Sequence, residues 1–316
     1  MSKDALIAVV GGVISALLLL LSIHLGSLVA FVLAYFAPLP LFLVGLGLGL
    51  AVLVLAAAAA VVLTSVAAGF DAATLFALVY AVPAVLVVRL ALLSRQPPGG
   101  ATNWYPPGLV ACWLTGYGAA AFVVLAIMTG GIQGGLEGIV RGNIAAALER
   151  FMADGGGPQL TTMAEAVAAY FPALVIASWL IMVAVNATLA QRLLTRLGRN
   201  LRPAPRLAAF EVPGWMAIPV VIAVLLWLMG GAGTPGFIGR NLTWVFVVPY
   251  FLMGLAVVHA LSRRWSARSL MLVVFYLVLV LFVWAAFLVA ALGFIEQWTG
   301  LRRRFAGPGN SQEEAQ

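Results

Sequence analysis

Residues 40–63 read PLFLVGLGLGLAVLVLAAAAAVVL, a run in which no side chain carries a charge or forms a hydrogen bond. About 20 consecutive apolar residues suffice for a helix to cross the hydrocarbon core of a bilayer, and a segment this long without polar relief reads as transmembrane. The neighbouring sequence repeats the pattern. Apolar stretches at Ala5–Ser22, Leu25–Ala37, Pro40–Leu63, Ala72–Leu93, Pro107–Met128, Phe171–Ala190, Pro213–Met229, Leu242–Leu261 and Ser269–Leu292 are separated by short polar or glycine-rich connections. The second stretch is short and ends at Pro38-Leu39-Pro40. Proline removes a donor and clashes with the preceding turn, so this element reads as re-entrant or broken.

Composition agrees. The chain is 64% hydrophobic and 9% charged, with a mean hydropathy of +1.11. A soluble domain carries about 25% charged residues, because its outside must be wetted. The expected fold is therefore all-α: a polytopic transmembrane helical bundle of eight or nine spans. It forms a single transmembrane domain over 1–305, with an extracytoplasmic amphipathic insertion at 129–170, a cytoplasmic Arg-rich loop at 191–212 and a disordered polar tail at 306–316. Lys3 ahead of Ala5–Leu21 imitates a signal peptide. No small-residue cleavage site leads into a polar domain, so the segment reads as a retained first helix.

The formal charge of +7 comes from sixteen arginines and the single Lys3. Most lie just beyond the ends of apolar stretches, the placement of cytoplasmic anchors rather than of a nucleic-acid surface. Arg192, Arg196, Arg199, Arg202 and Arg206 fill one connection and Arg95 lies in another. The stretch from Thr129 to Tyr170 has Glu137, Glu149, Asp154 and Glu165 against Arg141 and Arg150. The first two connections are expected inside a bacterial cytoplasmic membrane and the third outside, with a cytoplasmic N-terminus. Arg263, Arg264 and Arg268 precede the last stretch while Arg302, Arg303 and Arg304 follow it, and one straight helix cannot put both clusters on the same side. Phe294, Trp298, Leu301 and Phe305 share one helical face that suits the interface. Trp104, Tyr105, Trp215, Trp244, Trp265 and Trp298 fall near span ends, as in an aromatic belt.

In the outer stretch, Ile132, Leu136, Ile139, Val140, Leu148 and Phe151 recur at helical spacing, and Glu137 and Arg141 are placed for an i,i+4 pair. Gly155-Gly156-Gly157-Pro158 breaks this helix. Thr162-x-x-Glu165 has the form of a capping box opening a second short helix that ends at Tyr170-Phe171-Pro172.

Polar residues inside spans are costly and often functional. Asp71 opens the fourth stretch and reads as a helix cap or a site residue. Asn186 lies deep in the sixth, either bonding a neighbouring helix or lining a cavity. His259 closes the eighth and reads as interfacial. His24 sits between the first two stretches, and Arg89 is close enough to an interface to snorkel. Cys112 has no partner for an internal disulfide and reads as packing. Pro38 and Pro40 followed by Gly45, Gly47 and Gly49 allow either close helix approach or a discontinuous element of the kind that lines transporter sites.

The missing chemistry argues against an enzyme. The two histidines stand 235 positions apart, so no HExxH zinc site exists. Apart from Asp71 the expected spans hold no acid, and no phosphate-binding glycine loop with its lysine is present. No catalytic, cofactor-binding or metal-ligating residue is assigned.

On these residues the chain resembles the YybS-like family of bacterial membrane proteins, domain of unknown function 2232. The resemblance rests on the first helix, Phe36-Ala37-Pro38-Leu39-Pro40-Leu41 and glycines 45 to 49. It continues in Phe171-Pro172-Ala173 leading to Asn186 and Arg192–Arg196, and in Tyr250-Phe251-Leu252-Met253-Gly254-Leu255-Ala256-Val257-Val258-His259. It implies a distant similarity to the substrate-binding subunits of energy-coupling-factor transporters and to the rod-shape protein MreD, and assigns no residue a role. Two functions are carried forward: a small-molecule transport component, and a non-catalytic scaffold that recruits envelope partners. The partners expected are the lipid bilayer and either a small-molecule substrate or another membrane protein, and not nucleic acid.

Overall fold

The computed structural model describes residues 2–25, 28–151, 158–205, 210–264 and 266–302. It is all-helical apart from a two-residue strand pair, β1 (Ser94–Arg95) with β2 (Asn103–Trp104), antiparallel with Ser94 opposite Trp104. The chain forms two compact units, Met1–Val110 with Trp179–Pro205, and Ala111–Ser178 with Arg206–Gln316.

In the first unit, α1 (Lys3–Leu25) is followed by α2 (Leu28–Phe36) and α3 (Leu39–Leu48), which run antiparallel to it. Ser15 bonds the Ala37 carbonyl and Gly11 lies against Val44. The small residues Ala8, Gly11, Gly12, Ser15 and Ala16 face inward on α1, while Leu6, Ile7, Val10, Ile14 and Leu17 face out. That inverts the soluble pattern. Lipid solvates large aliphatic groups as well as a protein core does, so association comes from close backbone approach at small residues. A Cβ on Gly12 would stand 2.1 Å from the Ala56 carbonyl oxygen.

Among the described residues six helices are long and apolar enough to cross a membrane, or seven if a bent pair near the end is one span. The hydropathy reading gave eight or nine. Part of the difference is a run, Leu50–Ala91, counted once at 42 residues. It comprises α4 (Leu50–Phe76), a π-helical turn at Ala77–Ala81 and α5 (Val82–Ala91), and Gly69 inside α4 is non-helical at φ 88° and ψ 172°. This run is a hairpin. An ideal Cβ on Gly45 would lie 2.8 Å from Val88 Cγ2 and 2.9 Å from Leu53 Cδ2, so Val88 and Leu53 are neighbours. A straight helix would hold them about 50 Å apart. The chain reverses at Gly69, where φ is positive and glycine carries no Cβ penalty. A second reversal falls at Gly49, φ 99°. The expected break at Pro38-Leu39-Pro40 is only a local irregularity within one 21-residue apolar span, Leu28–Leu48, and the turn comes later, where glycine permits it.

The Arg-rich connection closes this unit. Leu201 donates its N–H to the Leu46 carbonyl. Arg202, 7% exposed, donates to the Ala91 and Tyr105 carbonyls at 2.9 and 3.0 Å and covers the Trp104 ring. Burial lowers its pKa from the ordinary value.

In the second unit, α6 (Pro107–Met128, shared from Ala111) lies antiparallel to α10 (Thr234–Leu261). Cys112 clusters with Tyr250 and Met253, and Phe122 with Phe237. Cys112 is thus a packing residue, as expected. On α10 also lie α9 (Ala217–Gly230), preceded by a 3₁₀ turn from Gly214, and α12 (Val283–Thr299). α11 (Arg268–Leu281) and the helix after it are bent by 117° at the break. The two arginine clusters flanking this segment are therefore not the ends of one straight rod, which removes the conflict met in the sequence. Arg303, Arg304, Phe305, the tail 306–316, Trp265 and Asp154 lie outside the described residues.

α7 (Gly135–Phe151) is the expected outer helix, with its Arg141–Glu137 pair at 3.2 Å. The second outer helix is a correction. Thr162 stands inside a helix and not at its start: α8 is continuous from Pro158 to Arg196, and its Pro172 is internal.

Glycine contacts set how closely α10 and α12 approach. A Cβ on Gly254 would fall 1.8 Å from the Val289 carbonyl oxygen, whereas one on Gly116 meets nothing within 4 Å. Gly254→Ala should cost about 1–3 kcal/mol through forced separation of the helices. Gly116→Ala should be neutral or gain up to about 1 kcal/mol in helix propensity. Thermal unfolding of both variants in mild detergent checks this, and equal midpoints would contradict the packing described.

Candidate functional site

A proline inside a helix deletes one N–H and frees carbonyls one turn earlier, and hydrocarbon offers no water to satisfy them. In the first unit, side chains from other helices supply the missing donors. At Pro38-Leu39-Pro40, Asn186 Nδ2 on α8 donates to the Tyr35 carbonyl at 2.9 Å and to Met182 at 2.8 Å, while Ser15 Oγ donates to the Ala37 carbonyl at 2.6 Å. At Pro83, whose N–H would have served Val79, the Trp179 indole N–H donates to the Val79 carbonyl at 2.9 Å. Asn186 Oδ1 is buried with no hydrogen-bond partner.

The second unit repeats the device at Pro172. Ala173 N–H donates to Asn241 Oδ1 at 3.0 Å, and Asn241 Nδ2 donates to the Ala169 carbonyl at 3.1 Å. Those two backbone groups would bond each other in an unbroken helix, so the Asn241 amide is inserted between them. Its remaining N–H goes to Phe237, its own i−4 carbonyl, at 2.9 Å, and Asn241 is fully buried. The adjacent Arg240 donates Nε to the Ala169 carbonyl at 3.2 Å, lies 3.8 Å from Glu137 on α7 and covers the Tyr170 ring. The helix expected to end at Pro172 continues because Asn241 stands in for the lost bond.

The sequence-selected residues separate accordingly. Asn186 meets the Pro38–Pro40 junction. Gly45 lies beneath Val88 and Leu53, and Gly49 is the turn beside Leu201. Asp71 is exposed at the Gly69 reversal, away from that junction. His259, in the second unit, has Nε2 2.8 Å from the Tyr276 hydroxyl. These residues do not converge on one cavity.

An apolar hollow, open on its outer side where Phe287, Phe294 and Ile295 are exposed, lies between α9, α10 and α12 of the second unit. It holds about 350 Å³, and its walls include Val220, Trp244, Phe287, Ala291, Tyr250 and Phe294. Trp244 stacks on Phe287 with centroids 4.9 Å apart, and Tyr250 on Phe294 at 5.2 Å. Trp244 Nε1, Tyr250 Oη and Gln297 Oε1 are buried without a hydrogen-bond partner. Gln297 spends its N–H groups on the Val212 and Pro213 carbonyls at 3.3 and 3.0 Å. Its oxygen lies beside the Tyr250 hydroxyl without closing a bond of ordinary geometry. An unsatisfied buried polar group costs about 1–3 kcal/mol. The Tyr250 hydroxyl has the Gln297 side chain beside it, and each of these atoms is buried behind the apolar lining of the hollow.

Sequence reading missed Trp244, Tyr250, Asn241 and Glu296. Trp244 was assigned to the aromatic belt because the span was begun at Leu242. Thr234-Pro235, a helix-start signal, sets the true beginning and moves both Trp244 and Asn241 inside. Glu296 is an acid within an apolar helix, where none was expected. It is 4% exposed and accepts from Arg302 Nε at 2.9 Å, Gly300 at φ 57° turning the chain back between them. Arg302 also lies 4.0 Å from Glu211.

Asn241→Ala should destabilise the protein by about 2–4 kcal/mol, since it strands backbone groups at Pro172 as well as losing its own bonds. In a Pro172→Ala background the helix can close its own bonds, and the cost should fall by half or more. A double-mutant cycle in thermal or denaturant unfolding measures the coupling; additive effects would mean that Asn241 does not serve the proline.

A family model described as predicted membrane protein (DUF2232) matches residues 13–296. The chain belongs to that family of multi-pass membrane proteins. No curated protein and no solved structure matches the chain.

Proposed function

We propose that this family member is a non-enzymatic membrane protein that holds a small molecule between its helices, as the substrate-binding part of a transport system does. The observation that carries this reading is the apolar 350 Å³ hollow lined by Val220, Trp244, Val247, Tyr250 and Phe287. Ligand cavities are mostly apolar with a few placed polar groups, and about 300–1,000 Å³ in size. The binding place is thus moved from the Pro38–Gly49 segment, where Val88 and Leu53 fill the space over Gly45, to the second unit. The likeness to energy-coupling-factor substrate subunits belongs to the same proposal.

The proposed topology has eight crossings through Leu261, with the bent α11–α12 pair as a ninth or a re-entrant element. Counting the two arms about Gly69 separately, and Gly214–Gly230 as a short crossing, puts Lys3, Arg95 and Arg192–Arg202 in the cytoplasm. α7 then lies outside. Arginine bias supports this orientation in a bacterial cytoplasmic membrane. A scaffold role is the second reading. It is favoured by α11, which has apolar side chains and no buried residue, as a helix awaiting a neighbour would.

Two measurements test these statements. With Cys112→Ala as background, an impermeant maleimide added to intact cells should label Gln133→Cys and Asp71→Cys but not Gln96→Cys or Arg199→Cys. The reverse pattern would invert the topology. Ala291→Trp should fill the hollow and abolish the thermal stabilisation that the native protein gains from bilayer extracts. Unchanged stabilisation would remove the hollow from consideration.

A further inference from the structure

Several arginines of this structure have partners. Arg141 and Arg240 meet Glu137, Arg302 meets Glu296, and Arg202 is taken up by two carbonyls and the Trp104 ring. At one end of the first unit five do not. Arg89 near the end of α5, Arg95 on β1, and Arg192, Arg196 and Arg199 at the end of α8 are exposed, and none meets a carboxylate among the described residues. These elements come together there. Gly47 lies against Leu194 and the Arg199 carbonyl, Leu201 bonds Leu46, and Arg202 bonds Ala91, two residues after Arg89. The acids of this unit are Asp4, beside Lys3, and Asp71 at the Gly69 reversal, about 30 Å along α4 from Gly49.

The end of α8 shows what faces it. Arg192, Arg196 and Arg199 are interleaved with Leu193, Leu197 and Leu201, which are 40, 61 and 47% exposed, while Gln191 and Leu194 are buried. A soluble acidic partner would be met by a surface wetted throughout. Cations set among exposed aliphatic groups at the end of a span suit the bilayer boundary, where phosphates lie over acyl chains. The backbone is already fixed. Arg199 returns its N–H to the Leu194 carbonyl with Gly198 at φ 64°, and Gln191 and Asn200 hold the Arg202 carbonyl. All five cations are arginine. Orienting a span, or offsetting the C-terminal dipole of α8, needs positive charge alone. A planar fork of N–H donors also matches two phosphate oxygens at once.

We infer that the end of α8, through Arg192, Arg196 and Arg199, binds the phosphate of anionic phospholipid headgroups, with Leu193, Leu197 and Leu201 against the acyl chains. Arg89 and Arg95 add to the attraction from the same end of the unit. This does not depend on the hollow between α9, α10 and α12.

The test uses the full chain, delipidated in mild detergent. Its probes are phosphatidylglycerol (anionic), phosphatidylcholine (zwitterionic) and glycerol phosphate (a headgroup without acyl chains). Native mass spectrometry reads the lipid retained, and the thermal midpoint in phosphatidylcholine micelles reads folding. The native protein should hold phosphatidylglycerol roughly tenfold more tightly than phosphatidylcholine, and glycerol phosphate should not compete. Arg192→Gln, Arg196→Gln and Arg199→Gln together should lower that ratio about fivefold or more, with the midpoint unchanged. Lysine at the same three positions keeps the charge and should still lower the ratio about threefold. Equal retention of the two lipids by the native protein, or a preference that both triple variants keep, would overturn the site. A lysine variant as selective as the native protein would reduce it to charge and overturn recognition by the guanidinium fork. Competition by glycerol phosphate would assign a free phosphate ligand, and displacement of the lipid by polyglutamate an acidic polypeptide; each would overturn the lipid.

Discussion

Hydrocarbon cannot hydrogen-bond a peptide group, and the details of this fold depend on that constraint. Helical backbone is self-sufficient except where proline interrupts it, and this chain carries prolines inside or between its apolar helices. The interruptions at Pro38–Pro40, Pro83 and Pro172 are repaired from a distance. Asn186 and Ser15 serve carbonyls at Pro38–Pro40, Trp179 serves Val79 before Pro83, and Asn241 bridges the gap at Pro172. Arg202 does the same for the end of α5 and for the loop after β2. These polar side chains stood out in so apolar a chain as possible site residues. The structure employs them to complete main-chain bonding, which tethers the irregular helices and fixes their rotation relative to their partners.

Association of the helices has a different source. With lipid outside as apolar as the inside, burial of leucine or valine gives little preference for either face, and the large side chains of α1 point outward. Contacts form where the absence of a side chain lets backbones meet: Gly12 on Ala56, Gly239 on Trp227, Gly254 on Val289 and Gly293 on Tyr250. Such seams leave little free space. The apolar hollow beside Trp244 and Tyr250 is an exception.

The amount read correctly from sequence follows from which interactions are local. The apolar runs, the helix Gly135–Phe151 and its Glu137–Arg141 pair depend on residues a turn apart, and they were legible. Two kinds of error arose. Local signals were taken at face value at Pro38-Leu39-Pro40 and Pro172, where distant donors overrule them, and at Thr162-x-x-Glu165, which lies inside the continuous α8. Conversely, Gly49, inside the stretch read as one span from Pro40 to Leu63, was not recognised as a point of reversal, whereas Gly69 falls in the connection read between Leu63 and Ala72. Glycine permits positive φ without requiring it, and only the packing of Val88 and Leu53 against Gly45 demands it there. Trp244 and Tyr250 carried no signal of a site, because a tryptophan two residues from a wrongly placed helix start looks like an interfacial ring.

The sequence by itself determined the solvent and the secondary structure. An 64% hydrophobic chain with 9% charged residues has lipid as its medium, and lipid demands helices that satisfy their own backbones. Its arginines, clustered in the connections, carried the bias from which orientation is inferred. Tertiary structure alone decided which polar side chain meets which freed carbonyl, where the chain turns, and where the helices leave an apolar hollow. Asn241 and Ala173 are 68 positions apart and Asn186 and Tyr35 are 151 apart. A hydrogen bond depends on angstroms of separation in space, and no local pattern of residues records a distance of that kind.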